Sequence, residues 1–283
     1  MNITIQPVTT VAQCHHVNNI ERAAWIGIEF VPDHMLNAVA HEKGVVLLAY
    51  DGELPIGFCI SFVSFVGNDL QDANFRMKHH SHLAAVLPAY QGKGVGAIIK
   101  QAQREAVLRQ KIDLMTWTFD PLETKNARLN IHKLGAVCKT YKRNVYGMMT
   151  DALNAGILSD RFQVDWWLAS EHVAARHSAE FIHKTRTDWE SEGVRVVNSA
   201  EIENDHPSPT AFDPSLLTTQ DTALLAVPSN FQTLKRANLQ NAIDWRMHTR
   251  RVFESAFDQG FSATDLIHEP TLSYYLLERN WKS

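Results

Sequence analysis

Two groups of residues in this 283-residue chain have the types and spacing to do chemistry. The first is Leu87-Pro88-Ala89-Tyr90-Gln91-Gly92-Lys93-Gly94-Val95-Gly96, a glycine-spaced, basic turn between an apolar strand and an amphipathic helix. A helix start leaves several backbone N–H groups without partners and carries partial positive charge, and glycines let an anion approach with no Cβ in the way. Gln91 to Gly96 are therefore expected to form a phosphate cradle, with Lys93 adding a full charge. A glycine turn can also be only a tight connection, and this one matches neither the nucleotide-binding nor the dinucleotide-binding glycine pattern. The second group is His79-His80-x-His82, on the strand that enters the turn. Strand side chains alternate, so His80 and His82 share a face, and imidazole titrates where a base can take a proton near neutral pH. Surface or hydrogen-bonded core histidines would give the same pattern. Two histidines two apart can share a metal, but no Cys or acidic partner stands at a recognised spacing, so no metal site is expected.

The elements that must position these groups are legible from periodicity. Residues 3–8 alternate like a strand, 11–25 and 33–41 read as helices, and 44–50 and 56–66 as strands joined by the hairpin signal Asp51-Gly52. A strand at about 79–87 leads into the turn. After it, Val95, Ile98, Ile99, Ala102, Ala106 and Leu108 mark the expected buried side of a helix ending near Gln110. A strand at 112–119, a short helix at 126–134 stopped by Gly135, and a strand at 137–148 close one compact α/β domain over residues 1–150. Residues 151–283 form the second part. It is expected to hold a strand at 162–168, a helical run to about Trp189, a loop over Glu201–Asp221 with Pro207, Pro209 and Pro214, a strand at 224–228, one long helix at 234–259, and strands at 264–267 and 272–277. A strand ending in proline, then helix, strand and strand, repeats the order of residues 82–148. A degenerate second copy is one reading of this, although no Gly-x-Gly turn accompanies it. Trp166-Trp167 and the stretch from Trp245 to Phe257 read as packing residues, and Arg246, Arg250 and Arg251 as a solvated helix face.

Composition narrows the function classes. A net charge of −4 with 14 histidines leaves no basic excess, so nucleic acid is not an expected partner. The longest apolar stretch, Ile56 to Val66, falls short of the roughly 20 residues of a membrane-spanning helix. The first residues, Met1-Asn2-Ile3-Thr4-Ile5-Gln6-Pro7, have neither the basic nor the apolar region of a secretory signal. Cys14, Cys59 and Cys138 are odd in number and widely spaced, which fits small core residues in a reducing cytoplasm. No Gly-x-Ser-x-Gly elbow suggests a serine hydrolase.

At Gln91-x-x-Gly94-x-Gly96, preceded by Val86-x-Pro88 and followed by the amphipathic helix, the chain resembles the GNAT superfamily of acyl-CoA-dependent N-acyltransferases. A wider set, including Ser81-His82, Gln103-Arg104-Glu105, Trp117-Thr118-Phe119-Asp120-Pro121-Leu122, Asn126-Ala127, Asn130 and Lys133-Leu134-Gly135-Ala136, resembles a bacterial GNAT subgroup with a C-terminal extension. The resemblance covers about half of the chain. It implies an α/β (α+β) fold, a GNAT-like mixed central sheet flanked by helices with a second, smaller α/β half. It implies that the turn binds the pyrophosphate of acetyl-CoA or another acyl-CoA, and that the preceding strand splays from its neighbour to accept the pantetheine arm. Backbone contacts would come from Val86, Leu87, Gln91, Gly92, Lys93, Gly94, Val95 and Gly96. The implied reaction moves an acyl group to an amine of a small-molecule or peptide acceptor; if the shared face of His80 and His82 lines the acceptor pocket, His82 or His80 is the expected base. Asn126 and Asn130, four apart on a helix, would offer amides to the pantetheine or acyl carbonyl, or else cap the Asp120-Pro121 turn. One departure stands out: Ile131 occupies the position where many GNAT enzymes carry a tyrosine acid, Ala136 replaces a phenylalanine, and His132 points about 100° away. A non-catalytic acyl-CoA-binding or sensing protein is the alternative this departure keeps open.

Overall fold

The computed structural model describes residues 1–25, 30–67, 75–147, 155–178 and 180–282. The chain divides into two compact units, residues 1–117 with 167–169, and residues 118–166 with 170–283. The first runs β1 (Ile3–Pro7), α1 (Val11–Ala24), α2 (Asp33–His41), β2 (Val45–Asp51), β3 (Leu54–Val66), β4 (Arg76–Val86), α3 (Val95–Arg109) and the start of β5 (Leu114–Phe119). β1 to β4 pair antiparallel in chain order, and β5 joins β4 in parallel. This mixed sheet flanked by helices is the architecture the resemblance implies. β2 and β3 meet at Asp51-Gly52, as expected, with Gly52 at φ +62.

Helices cover both faces of the sheet, so β2 is buried along nearly its whole length. On one face Val46, Leu48, Tyr50, Phe58, Ile60 and Ala85 pack with Cys14, Val17 and Ile20 of α1 and Leu36 of α2. Thr10 starts α1 with a reciprocal capping box to Gln13. On the other face α3 lies close against β3, because Gly57 has no Cβ; one built there would stand 2.7 Å from Ile99 Cδ1 and 3.0 Å from the Ala85 carbonyl oxygen. The buried stripe of α3 is Val95, Ile99, Lys100, Gln103 and Val107. That corrects the expected stripe: Ile98 is exposed, and two polar residues take core positions. The spacing 95, 99, 103, 107 faces the sheet, and Ile98 lies off that line by the helix period.

The second unit continues with α4 (Thr124–Ala127), which runs into a π-helical turn over Arg128–Lys133, then β6 (Val137–Lys142), β7 (Arg161–Trp167), α5 (Glu171–Arg176), α6 (Arg186–Ser191) and β8 (Arg195–Val196). It ends with β9 (Asn198–Glu203), β10 (His206–Phe212), α7 (Leu216–Thr219), β11 (Thr222–Pro228), α8 (Phe231–Ala237), α9 (Leu239–Asp258), β12 (Phe261–Ile267) and β13 (Leu272–Arg279). Its strands lie in the order β7-β6-β12-β13-β11-β8.

Several expectations are corrected here. The strand at 137–148 stops at Lys142, since Asn144 turns the chain at φ 44; Met148 lies outside the described residues. The break expected near residue 150 differs from the observed division, because β6 pairs with both β7 and β12 and so groups with the later strands. The helical run to Trp189 is two short helices, α5 and α6. The helix expected at 234–259 is broken at Asn238, whose extended backbone ends α8 and whose side chain caps α9 at Asn241. The proline-bearing loop at 201–221 contains a β9–β10 hairpin instead. Asn204 and Asp205 both adopt positive φ, the backbone of a type I′ turn, and β10 sits in a two-stranded sheet where proline's missing N–H is tolerated. In the copied element order, β13 lies between β11 and β12, unlike the direct parallel β4–β5 pair of the first unit. Among the described residues no helix is long and apolar enough to cross a membrane.

Candidate functional site

The glycine turn is built as its residues dictate. β4 ends at Val86, Pro88–Tyr90 make one tight 3-10 turn, and Gly94 in left-handed backbone (φ +85) is the N-cap of α3. Gly92 also has positive φ, at +76. The Gln91 amide donates to the Val86 carbonyl oxygen at 3.1 Å, folding the turn back on the strand. The Leu87 N–H donates to the Ile56 carbonyl at 2.8 Å, so that group is committed to the sheet. Among the described residues no acceptor meets the N–H groups of Gly92, Lys93, Gly94, Val95 or Gly96, and Gly94 has no side-chain cap. Open space surrounds both Gly92 and Gly94. Lys93 stands exposed, its ammonium 5.2 Å from the Tyr90 ring centroid. Five open donors, a helix start and a lysine are the groups from which an anion cradle is built.

Beside the turn, β4 leaves β5. Among the described residues, the two strands pair at His79 with Met115 and at His80 with Thr116. Among the described residues, Ser81 to Val86 pair only with β3, so a fork opens between β4 and β5. At its start the β3–β4 register shifts: Ser61 opposes Ser81, Ile60 opposes Leu83, and His82 is the extra residue of a β-bulge. Bulges re-aim side chains. His80 and His82 do share a face, their rings 6.0 Å apart and 5.4 and 6.0 Å from Phe62. His82 is exposed, and partial desolvation lowers its pKa. His79 points the other way, buried between Ser61 Oγ at 3.1 Å and Gln110 Oε1 at 3.0 Å, as a satisfied core histidine.

The remaining expected residues belong to the second unit. Asn126 is exposed and Asn130 is buried, because the wider π-helical turn that starts at Arg128 displaces position 130 from the face a regular helix would give it. Ile131 is fully buried. His132 bonds Asp265 through Nδ1 at 2.9 Å, and Arg176 braces the same carboxylate at 2.7 Å. Asp120 caps its own turn, accepting from the Leu122 N–H at 2.9 Å, and pairs with Arg246. Arg246 is thus not on a solvated face: it is 1% exposed, and Arg250 is held by Asp160 at 2.8 Å. Charge compensation draws both arginines inward, while Arg251 stays exposed. Trp166 and Trp245 are fully buried packing residues. An open cleft of about 570 Å³ on α9 is lined by Arg143, Asp244, His248, Arg250, Arg251 and Glu254, but the Arg143–Glu254 and Arg250–Asp160 pairs leave it little uncompensated charge.

Sequence reasoning missed Lys100. It is 4% exposed, with Nζ 3.1 Å from Ser81 Oγ, 2.7 Å from Gln103 Oε1 and 4.0 Å from the Trp117 ring centroid. Burial pushes its pKa down to about 7. The 95-99-103-107 stripe was a usable signal, since position 100 borders it.

No family description matches the chain, and no curated protein matches it. Among solved structures, it is similar to yncA of Salmonella typhimurium, assigned as an acetyltransferase and solved with its cofactor acetyl-CoA, at 20% identity and a TM-score of 0.47 over 60% of this chain and 96% of that one. It is also similar to the ribosomal-protein-S18-alanine N-acetyltransferase of Escherichia coli, at 14% identity and a TM-score of 0.45 over 65% of this chain and 100% of that one. NAA60 of Arabidopsis thaliana, in complex with acetyl-CoA, matches at 12% identity and a TM-score of 0.46 over 59% of this chain and 99% of that one. Likenesses this distant carry no site chemistry, so the case for a function rests on the turn and the fork.

Proposed function

We propose that this protein is a GNAT-type acyltransferase that moves an acetyl or other acyl group from acyl-CoA to an amine, working in a reducing cytoplasm. The observation that carries the reading is the pairing of an open-amide glycine turn with a fork in the sheet directly before it. The turn offers its N–H groups and Lys93 to a pyrophosphate, and the unpaired side of Ser81–Val86 offers strand-type hydrogen bonds to an amide-bearing arm. His82, with His80 as the alternative, takes the proton from the attacking amine. Asn126 and Asn130 remain candidate amide donors to the cofactor. The amine attacks the thioester carbonyl, the C–N bond forms, the C–S bond breaks, and the departing thiolate takes up the amine's proton by way of solvent. A C-terminal unit that is a degenerate copy or an extension fits the same reading.

The test is the thermal shift with acetyl-CoA of wild type, Gly94→Ala and Gly94→Glu. Both variants bear the left-handed strain of about 1–2 kcal/mol, but only glutamate puts bulk and negative charge into the cradle. Ligand stabilisation is expected to survive in G94A and vanish in G94E. No shift of wild type with any CoA species would end the acyl-CoA reading. Buried Ile131 in place of a phenol favours a binding or sensing protein as the second reading; acetyl-CoA bound without thiol release across an amine panel would establish it.

A further inference from the structure

We infer that Lys100 is a positioning residue for the β4–β5 fork: from α3 it ties the bulge at Ser81 to Met115 and Trp117 of β5, and so sets the opening of the fork and the aim of His82. This rests on the acyl-CoA reading of that fork. Lysine ammonium groups are rarely withdrawn from water, and burying one without strong compensation is costly. Here the amine is buried at the point where the two strands part. It donates to Ser81 Oγ at 3.1 Å on one strand, approaches Met115 Sδ at 3.6 Å on the other, and lies over Trp117. Gln103, fully buried, accepts from it at 2.7 Å, while its own Nε2 is a buried donor with no hydrogen-bond partner among the described residues. Ser81 immediately precedes His82, the bulged residue, whose ring projects on the opposite face beside Phe62. Holding Ser81 from below therefore fixes the backbone that orients His82 above.

The tie depends on the proton. An ammonium has three N–H donors and a cation–π contact; the neutral amine has two donors and loses that contact. Desolvation brings the pKa to about 7, so both forms are populated near neutral pH. The titratable group facing it from β3 is Cys59, whose thiol burial pushes up to about 12 and which stays neutral in this range. On β4, burial lowers the His79 pKa from its ordinary value, so it gives up its proton before Lys100 does. On α3 itself, Arg104 is turned to the Leu168 carbonyl at 2.7 Å, and Glu105 is exposed. Ser81, Gln103, Met115 and Trp117 bring no charge.

Calorimetric titration of acetyl-CoA into wild type, Lys100→Met and Ser81→Ala at about pH 6 and about pH 8.5 tests this. Lys100 goes from roughly nine-tenths to about 3% protonated over that interval, which allows apparent affinity to fall by up to about 30-fold if only the tied state binds. Wild type is expected to weaken about threefold or more beyond whatever change K100M shows in parallel, since phosphate ionisation of the ligand is common to all three proteins. S81A, which keeps the amine and cuts the tie, is expected to lose affinity at the lower pH and to show the flattened pH dependence of K100M. A K100M that matches wild type at both pH values, or that loses affinity equally at both, overturns the inference. Absence of acetyl-CoA binding by wild type removes the parent reading instead, and is distinguished by that.

Discussion

Desolvation holds the His82 imidazole below its ordinary pKa of 6.5, so in the free protein it is a neutral proton acceptor at and somewhat below that pH. The sign follows: a base with a lowered pKa keeps its activity further into acid. The acid limb of kcat/KM is expected to fall below pH 6.5, and His82→Ala is expected to remove that limb and cost about 10²-fold or more in rate. Full activity in H82A would pass the role to another group, with His80, 6.0 Å away, the first to test. The alternation that put His80 and His82 together was readable from the chain. The bulge that singles out His82, and the inward turn of His79 to Ser61 and Gln110, were not, because each depends on which strand and helix lie alongside.

At the scale of elements, the approach of α3 to β3 decides where the glycine turn sits. Gly57 is the residue that permits it, and a methyl group there would press on Ile99 and on the Ala85 carbonyl. Gly57→Ala is expected to destabilise the protein by about 1–3 kcal/mol through overpacking, read as a lower urea midpoint at unchanged slope. An unchanged midpoint would mean that α3 shifts freely, and that the position of the turn is not held from below. Strand–turn–helix order here was legible from periodicity and glycine spacing, and so was the β2–β3 hairpin. The hairpin over Asn198–Phe212 was not, since prolines usually mark loops and only the paired positive-φ residues Asn204 and Asp205 betray the turn. Likewise, nothing in the run from Phe231 to Asp258 announces a break at Asn238 except an asparagine that can also sit inside a helix.

Over the whole molecule, acid sensitivity is expected to come from buried neutral histidines of the second unit. Burial, with Arg251 near His248 and Arg176 near His172, lowers both pKa values to about 4. In the unfolded chain they titrate near 6.5, so the stability they contribute is complete above that pH and is lost as pH falls toward about 4. Melting temperature is expected to drop across this window, and His248→Gln, which removes one of the two protons, is expected to make the drop shallower. An equally steep drop in H248Q would assign it to other groups. Asp160 does not contribute to this window: burial alone would raise its pKa, but Arg250, the Asn144 N–H and Tyr141 outweigh burial and hold it below 3.8.

By itself the sequence determined most local elements of the first unit, the glycine turn and the shared face of His80 and His82, because backbone propensity, turn chemistry and side-chain period act over a few residues. Only the tertiary structure decided the fork after His80, the burial of Lys100 beneath it, the inward pairing of Arg246 with Asp120, and the grouping of residues 118–166 with the later strands. Each of these depends on which distant segments share a face or a charge, and a polar residue enters a core only where such a partner is waiting.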